Sequence, residues 1–329
     1  MSLRGDLLFR AKKLKKLIAL PESVEPRILS AIDKMLVATN LRFFVFGEQD
    51  FFKRALKNYD EKRIVVCDMQ DKIKNEKLAE YLYELRKNKG MTIDIAREQI
   101  KNPMIYSTIL LNIGEIDGIT CGAITSTADV LRPLFQIVKT KPGITSASSA
   151  IMFDVPKSHK YGDRGPILFA DCSVMPYPNS ENLKDIALAS CETYKKLAGG
   201  KPVVAFLSYS TKSGEEQKDE SIVRIKEAIK MVKKLAPGLD VDGEMQLDAA
   251  LDRDVAKVKC PRSKVAGRAN VFIFPDINAA NIAYKTASRL AGFDTVGVIL
   301  QGVNRPANDL SRGADVDEIC SMICVTALS

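Results

Sequence analysis

GITCGAITSTADVLRPLFQIVKTKPGITSASSA, residues 118–150, decides the architecture. A short apolar strand, GITCG, runs into a small polar turn, AITSTAD, and then into a helix, VLRPLFQIVK. A strand, a turn of small residues and a helix start leave backbone N–H groups pointing outward, which makes a natural anion site. Pro133 reads as a residue of the first helical turn, where no N–H partner is needed. Lys141-Pro142-Gly143 then breaks the pattern and marks a boundary between two α/β halves.

The same alternation extends outward on both sides. LIAL (17–20), LRFFVFG (41–47) and RIVVCD (63–68) read as strands. EPRILSAIDKMLVATN (25–40), FFKRALKNY (51–59) and KNEKLAEYLYELRKNKG (74–90) carry apolar residues at helical spacing, and Thr92 caps a further helix. Strands with so few polar residues belong in a parallel sheet covered by helices on both faces. Beyond the boundary, PILFADCSV (166–174), VVAFLSYS (203–210), VFIFPD (271–276) and TVGVIL (295–300) are strands, TVGVIL being the last. Helices fall near 181–198, 219–236 and 278–292, and a polar turn, TKSGEEQKDE, follows VVAFLSYS. A chain of 329 residues is too long for one simple core, so two α/β domains are expected.

Composition excludes several classes. No apolar run reaches the length of a membrane span, and the basic first segment lacks the continuous apolar core of a signal peptide. It reads as an amphipathic helix. The seven cysteines are scattered, with no CxxC and no Cys/His cluster, so neither a zinc site nor a disulfide framework is expected. A reduced, cytoplasmic setting follows. The net charge of +8 fits either a solvated lysine surface or a field that attracts a polyanionic small molecule. No nucleic-acid-binding motif accompanies it, and there is no tryptophan.

The motifs of common chemistries are also missing. The single histidine, His159, has no G-x-S-x-G elbow to serve, and neither GxGxxG nor a P-loop is present. What remains is arginine beside small polar residues. In TSTADVLRP (125–133), Ser126 and Thr127 lie at the helix start, and Arg132 either holds phosphate through a bidentate fork or pairs with Asp129. Arg86, in YELRKNKG, either contributes a cation or favours the helix dipole at a C-terminus. Near the end comes NDLSRGADVDEI (308–319). Asp315 as N-cap and Glu318 at N3 form a capping box, with Asp317 between them. That accounts for the acids, but not for Ser311-Arg312-Gly313 in the turn before.

NDLSRG before an acidic helix start, with STADVLRP upstream, resembles the phosphate acetyltransferase (phosphotransacetylase) family. IALPES, YELRKNKG, LRPLFQIVKT, LFADCSV, LSYSTK, DGEMQLDAA, NVFIFPDINAANIAYKTASRLA and LQGVNRPANDLSRG look like family blocks in family order, so the resemblance covers nearly the whole chain. It is to the short form, without the N-terminal regulatory region of the long form. The resemblance implies reversible acetyl transfer between coenzyme A (CoA) and phosphate, by direct attack in a ternary complex. It implies no metal, no acyl-enzyme and no tightly bound cofactor, CoA and acetyl-CoA being substrates. The implied fold is two α/β domains with an interdomain cleft, isocitrate dehydrogenase-like, in a homodimer. Residues 1–142 with 302–329 would form one domain and 143–301 the other.

Carried over by motif, Arg132 and Arg312 look like the arginines that hold phosphate or acetyl phosphate. Arg86 is similar to a further cationic contributor, and Ser311 to the group that hydrogen-bonds the oxyanion. The family's general base is an aspartate seven residues after that serine. Here the position is Glu318, with Asp317 adjacent but about 100° round the helix. Lys285 and Arg289 share one face of NIAYKTASRL, which either meets the phosphates of CoA or is a solvated basic face. Asn278, Asn281 and the LSYSTK turn are further candidates. The rival readings are a phosphate butyryltransferase, a non-catalytic CoA or acyl-phosphate binder, a metal-dependent dehydrogenase of the same fold, and a basic nucleic-acid-binding protein. The aspartates and nicotinamide site of the dehydrogenase are not found.

Overall fold

A computed structural model describes residues 2–213 and 219–329. The first stretch runs α1 (Leu3–Ala11), β1 (Leu17–Leu20), α2 (Pro26–Ala38), β2 (Arg42–Phe46), α3 (Gln49–Ala55), β3 (Ile64–Cys67), α4 (Lys72–Arg86), α5 (Ile93–Gln99), α6 (Pro103–Ile113), β4 (Gly118–Cys121) and α7 (Thr127–Pro133). The middle stretch runs β5 (Ser148–Asp154), β6 (Ile167–Ala170), α8 (Ser180–Ala198), β7 (Val203–Leu207), α9 (Glu220–Leu235), β8 (Asp240–Met245), α10 (Leu247–Leu251), α11 (Arg253–Lys259), β9 (Val271–Ile273), α12 (Ile277–Leu290) and β10 (Asp294–Gln301). The chain closes with β11 (Ala307–Asp309) and α13 (Val316–Leu328). Residues 214–218 of the polar turn after β7 lie outside the described residues.

The chain divides into two compact units, Gly5–Lys141 with Val303–Ser329, and Pro142–Gly302 with the N-terminal residues up to Arg4. Those first residues belong with the middle stretch because the Leu3 N–H donates to Asp154 and the Arg4 guanidinium to the Thr295 carbonyl. The middle unit holds a six-stranded sheet, β10-β5-β6-β9-β7-β8, in which the pairs β10–β5 and β5–β6 are antiparallel and the others parallel. Phe169 meets Phe153, Phe272 and Phe274 at ring-centroid distances of 4.8, 5.5 and 4.9 Å in its core.

The other unit holds a five-stranded parallel sheet, β11-β4-β1-β2-β3. β1 pairs with β2 on one side and β4 on the other, so the connections leave β1 and β4 in opposite directions. Ligands of open parallel sheets bind outside the strand C-terminal ends at such a switch point. β11 is a strand that the residue pattern does not announce. It pairs with β4 through Ala307–Ile119, Asn308–Thr120 and Asp309–Cys121. Three residues, two of them polar, carry no periodicity to read.

Helix α7 also departs from expectation. It starts at Thr127 with Ser126 as N-cap, and Pro133 is its last residue rather than part of its first turn. Pro133 has no N–H with which to continue the α-helical ladder. The chain passes instead into a single π turn over Leu134–Val138, which ends at Lys139 with φ +65°.

α13 returns the chain end to this sheet, packing on α2 and over β1, β4 and β11. A Cβ on Gly118 would lie 2.5 Å from Thr326 Cγ2, so the helix approaches β4 where there is no side chain. The Thr326 hydroxyl is the polar pin of the contact. It lies 2.8 Å from Thr120 Oγ1, accepts from Asn308 Nδ2 at 2.9 Å and donates to the Met322 carbonyl at 2.9 Å. All three side chains are buried. Thr326→Val leaves the Asn308 amide and the Thr120 hydroxyl without this partner, and is expected to lower stability by about 1–3 kcal/mol in urea unfolding with the m-value unchanged.

Candidate active site

The site is built where β1, β4 and β11 end together. After β1 comes Pro21-Glu22-Ser23. The Ser23 hydroxyl donates to the Leu20 carbonyl and accepts the Phe46 N–H, which fixes this turn between β1 and β2. Glu22 is buried, and its carboxylate reaches the loop after β4. Oε2 accepts the N–H groups of Gly122 and Ala123 at 2.8 and 2.7 Å. Oε1 accepts those of Ile124 and Thr125 at 3.0 and 2.7 Å. The small polar loop does present convergent N–H groups, as its composition suggests. Those over Gly122–Thr125 are already taken by a carboxylate of the chain itself, so the expectation that they face an external anion is corrected. The next residues, Ser126 and Thr127, are the N-cap and first residue of α7.

A second cross-link comes from the start of α2. Glu25 caps the helix by accepting the N–H groups of Arg27 and Ile28. Arg27 bonds Glu25 through Nε at 2.7 Å, and its Nη atoms donate to the carbonyls of Arg312 (2.8 Å), Ala314 (2.9 Å) and Ala123 (3.0 Å). One guanidinium thus ties the turn after β11 to the loop after β4. The Leu310 N–H adds a bond of 2.7 Å to the Cys121 carbonyl.

On this frame the sequence-predicted residues take their places. Ser311 and Arg312 are exposed in the turn, and Ser311 Oγ accepts the Gly313 N–H at 3.3 Å. The capping box is present: Asp315 accepts the Glu318 N–H at 2.8 Å, and Glu318 Oε2 accepts the Asp315 N–H at 3.0 Å. Asp317 turns toward α2 and pairs with Lys34 at 2.9 Å. Ser126 donates to Asp129 at 2.6 Å, and Arg132 pairs with the other oxygen of Asp129 at 3.3 Å, both charged side chains being more than half exposed. Arg86, at the end of α4, reaches the Gln136 carbonyl at 3.5 Å, a contact at the limit of hydrogen bonding.

Asn278, Lys285 and Arg289 lie on α12, in the middle unit, and all three are exposed. Lys285 Nζ stands 5.9 Å from the centre of the Tyr284 ring, and Asn281 donates to the Cys172 carbonyl.

Sequence reasoning passes over Glu22, Arg27 and Asp309. The PES-EPR spacing at 21–27 signals only a helix start. Asp309 ends β11 and is buried, and one of its oxygens, Oδ1, has no hydrogen-bond partner among the described residues. Burial raises its carboxyl, a Thr127 hydroxyl bond opposes that, and the neighbouring Glu22 charge adds to the rise, leaving it pushed up to about 6. The thiols are of the opposite use. Burial pushes Cys67 up to about 11 and Cys191, Cys320 and Cys324 to about 12, so none is poised as a thiolate nucleophile. Among the described residues no group of three or more His, Cys, Asp or Glu side chains could hold a metal ion, and no helix is long and apolar enough to cross a membrane.

Glu22→Gln replaces two of the four acceptor positions with an NH2 group facing N–H donors. Loss of these charge-assisted bonds is expected to cost about 2–4 kcal/mol, read as a lower melting temperature. An unchanged melting temperature would mean that the loop does not depend on this carboxylate.

The family model described as phosphate acetyl/butaryl transferase matches residues 2–327. A phosphate acetyltransferase of Thermoanaerobacterium thermosaccharolyticum is 44% identical over 328 residues, covering 100% of this chain and 99% of that protein. A phosphotransacetylase structure from Streptococcus pyogenes superposes with a TM-score of 0.90 at 33% identity, covering 99% of this chain and 97% of the other. A putative 4-hydroxythreonine-4-phosphate dehydrogenase from Salmonella typhimurium, 14% identical with a TM-score of 0.53 over 96% of this chain, shares the fold alone. With a family model spanning the chain and a relative of such identity along its whole length, this chain belongs to the phosphate acetyl/butaryl transferase family.

Proposed function

We propose that the protein transfers an acetyl group reversibly between CoA and inorganic phosphate, acetyl-CoA plus phosphate giving acetyl phosphate plus CoA, by direct attack in a ternary complex. One observation carries the placement of the chemistry. β4 and β11 are adjacent parallel strands in register at Cys121 and Asp309, so the loops bearing Ser126-Thr127 and Ser311-Arg312 leave the sheet side by side.

Phosphate is held by Arg312 and Arg132. The exposed pair of Arg132 with Asp129 is worth little in water and is readily exchanged for a bidentate bond to phosphate. Arg86 adds positive charge. The hydroxyls of Ser126 and Thr127 line the approach at the start of α7. Ser311 Oγ accepts from Gly313, so its own proton is available to the oxyanion that develops as phosphate attacks the thioester carbonyl. The bond formed is from phosphate oxygen to acyl carbon, and the bond broken is carbon to sulfur. In the reverse direction Glu318 takes the thiol proton. Its Oε2 is held by the Asp315 N–H and Oε1 is left to serve as base. Asp317, turned to Lys34, is the reserve for that role.

For CoA we retain Lys285 and Asn278, exposed on α12, as contacts implied by the family resemblance. A homodimer belongs to the same proposal, supported by α12, which leaves Ile282 and Leu290 exposed. A cytoplasmic setting is supported by seven free cysteines, six of them buried.

The test is release of free thiol from acetyl-CoA with and without phosphate, repeated with butyryl-CoA. Fast phosphate-dependent release favouring acetyl-CoA is expected. Arg312→Lys loses the bidentate fork and should reduce kcat/KM for phosphate by about 100-fold, and Ser311→Ala should reduce kcat by about the same factor. Glu318→Gln should abolish turnover in the direction of acetyl-CoA synthesis, whereas Asp317→Asn should change it less than threefold, as expected for an exposed ion pair. Full activity in Arg312→Lys would remove the phosphate assignment.

A further inference from the structure

We propose that the ends of β7 and β8 form a purine-nucleotide site in the middle unit, in which the Tyr209 ring stacks on the base while Gln246, Ser210 and Lys259 bond its polar edge and phosphate. The identity of the base as adenine rests on the acetyl-CoA reading above, since CoA ends in an adenosine phosphate.

The groove lies on the side of the sheet where ligands of parallel strands bind. β7 and β8 are parallel neighbours, paired from Val203–Asp240 to Leu207–Met245. Ligands of such sheets sit outside the strand C-terminal ends. The chain leaves β7 through Ser208-Tyr209-Ser210-Thr211 and β8 through Gln246, and α11 ends at Lys259. Tyr209, Ser210, Thr211, Gln246 and Lys259 line an open groove of about 520 Å³. Small-molecule sites span roughly 300–1,000 Å³.

The two loops are tied to each other, so the groove has fixed walls. The Ser208 N–H donates to the Met245 carbonyl at 3.0 Å. The Thr211 hydroxyl accepts the Gln246 N–H at 2.9 Å and donates to Gln246 Oε1 at 3.4 Å. Lys259 Nζ donates to the same Oε1 at 2.8 Å and to Asp248 at 2.7 Å. Gln246 is thereby held by its oxygen, and its NH2 group makes no hydrogen bond among the described residues. The Ser210 N–H donates to Ser208 Oγ at 3.3 Å, and the Ser210 hydroxyl is likewise uncommitted among the described residues.

Tyr209 is held in the same way, at its polar end only. Its hydroxyl donates to Asp219 at 3.0 Å, and Asp219 is the N-cap of α9. The phenol is therefore moored to a helix start, yet the residue is 64% exposed. The carboxylates nearby are engaged: Asp219 by Tyr209 and the first turn of α9, Asp242 by Lys212 and Ser263, and Asp248 by Lys259. The Lys259 pair is partly exposed and worth little in water, and an ammonium has three donors, so a phosphate can recruit it.

What is left uncommitted selects the ligand. The groove offers an aromatic face, an NH2 donor, a hydroxyl and an ammonium. A purine supplies a π face for the ring and ring nitrogens that accept from Gln246. Its phosphate accepts from Ser210 and Lys259. An acyl chain would leave the donors unpaired, and a phosphate alone would leave the ring uncovered.

Calorimetric titration with adenosine 3′,5′-bisphosphate reads the site without turnover. Saturable binding to the native protein is expected. It should weaken about tenfold in Tyr209→Ala, the scale of one base–aromatic stack, and return in Tyr209→Trp. Lys259→Gln should weaken the bisphosphate about tenfold, the scale of a hydrogen bond to a charged group, and leave binding of adenosine unchanged. A purely structural role would not produce that split, and melting curves check that each variant folds. The thiol-release assay then separates the two sources of the nucleotide. If the site takes the end of CoA, Tyr209→Ala raises KM for acetyl-CoA about tenfold and leaves KM for phosphate unchanged. If it takes a free nucleotide, both constants stay unchanged while bisphosphate binding is lost. Absence of saturable bisphosphate binding by the native protein, or equal affinity in a folded Tyr209→Ala, overturns the proposal. Bisphosphate binding without any phosphate-dependent thiol release would remove the acetyl-transfer reading and leave the nucleotide site standing.

Discussion

One buried carboxylate receiving four consecutive backbone N–H groups holds this site together. The loop after β4 crosses the switch point of a parallel sheet with N–H groups pointing inward, where unpaired donors would each cost about 1–3 kcal/mol. Glu22 satisfies Gly122, Ala123, Ile124 and Thr125 at once from the neighbouring strand end. The loop can then be built of small residues with no hydrogen-bonded structure of its own. The start of α7 follows from this, since the last bonded N–H belongs to Thr125 and the next residue, Ser126, is the N-cap. Ser126, Thr127 and Arg132 stand where they do because Glu22 fixes the residues before them. The innermost anion position is thereby filled from within the chain.

The remaining supports are consequences of the same crowding. With the loop pinned to β1, its outer side must be joined to the turn after β11, and Arg27 does this through three carbonyl oxygens. Carbonyls at a turn are common orphan acceptors, and a planar guanidinium with five donors serves several at once. Gly122 is the contact point of the layers, with the Glu22 carboxylate bonded to its nitrogen and the Asp309 carboxyl against its α-carbon.

Much of the fold was legible in the residue pattern because its signals are local. Strand and helix periodicities in the first 120 residues, the break at Pro142 and the capping box of Asp315 and Glu318 depend on neighbours a few positions apart. So does the pair of Asp129 with Arg132. What was not legible depends on distant partners. β11 is too short and too polar to carry a period, and exists because Ala307, Asn308 and Asp309 find β4 nearly 190 residues earlier. Glu22 looked like part of a helix approach, since its four donors lie 100 to 103 residues away. Pro133 was placed in the first turn of a helix because the start at Thr127 depends on a loop whose order comes from Glu22. In the candidate site, the exposed residues proposed to meet substrate are those carried by motif. The buried ones that aim them had no mark, since a lone Glu, Arg or Asp in a sequence is most often a solvated surface group.

The capping box of α13 bears on the choice of base as well as on the helix. At N3 a glutamate has the reach to return to the N-cap N–H, and Glu318 does so with one oxygen. The carboxylate is therefore held over the helix start, immediately after the Ser311 turn, before any ligand arrives. An aspartate there would be one methylene shorter and would close the box less completely. If Glu318 is the base as proposed, the box exchanges some of its freedom for a fixed position, which lowers the ordering cost of reaching a reactive geometry. Asp317 has the opposite arrangement. It lies about 100° round the helix, and its pair with Lys34 directs it to α2 rather than to the turn. The two adjacent acids are thereby separated by structure, one fixed to the helix N-cap at Asp315 and the other paired with Lys34 on α2.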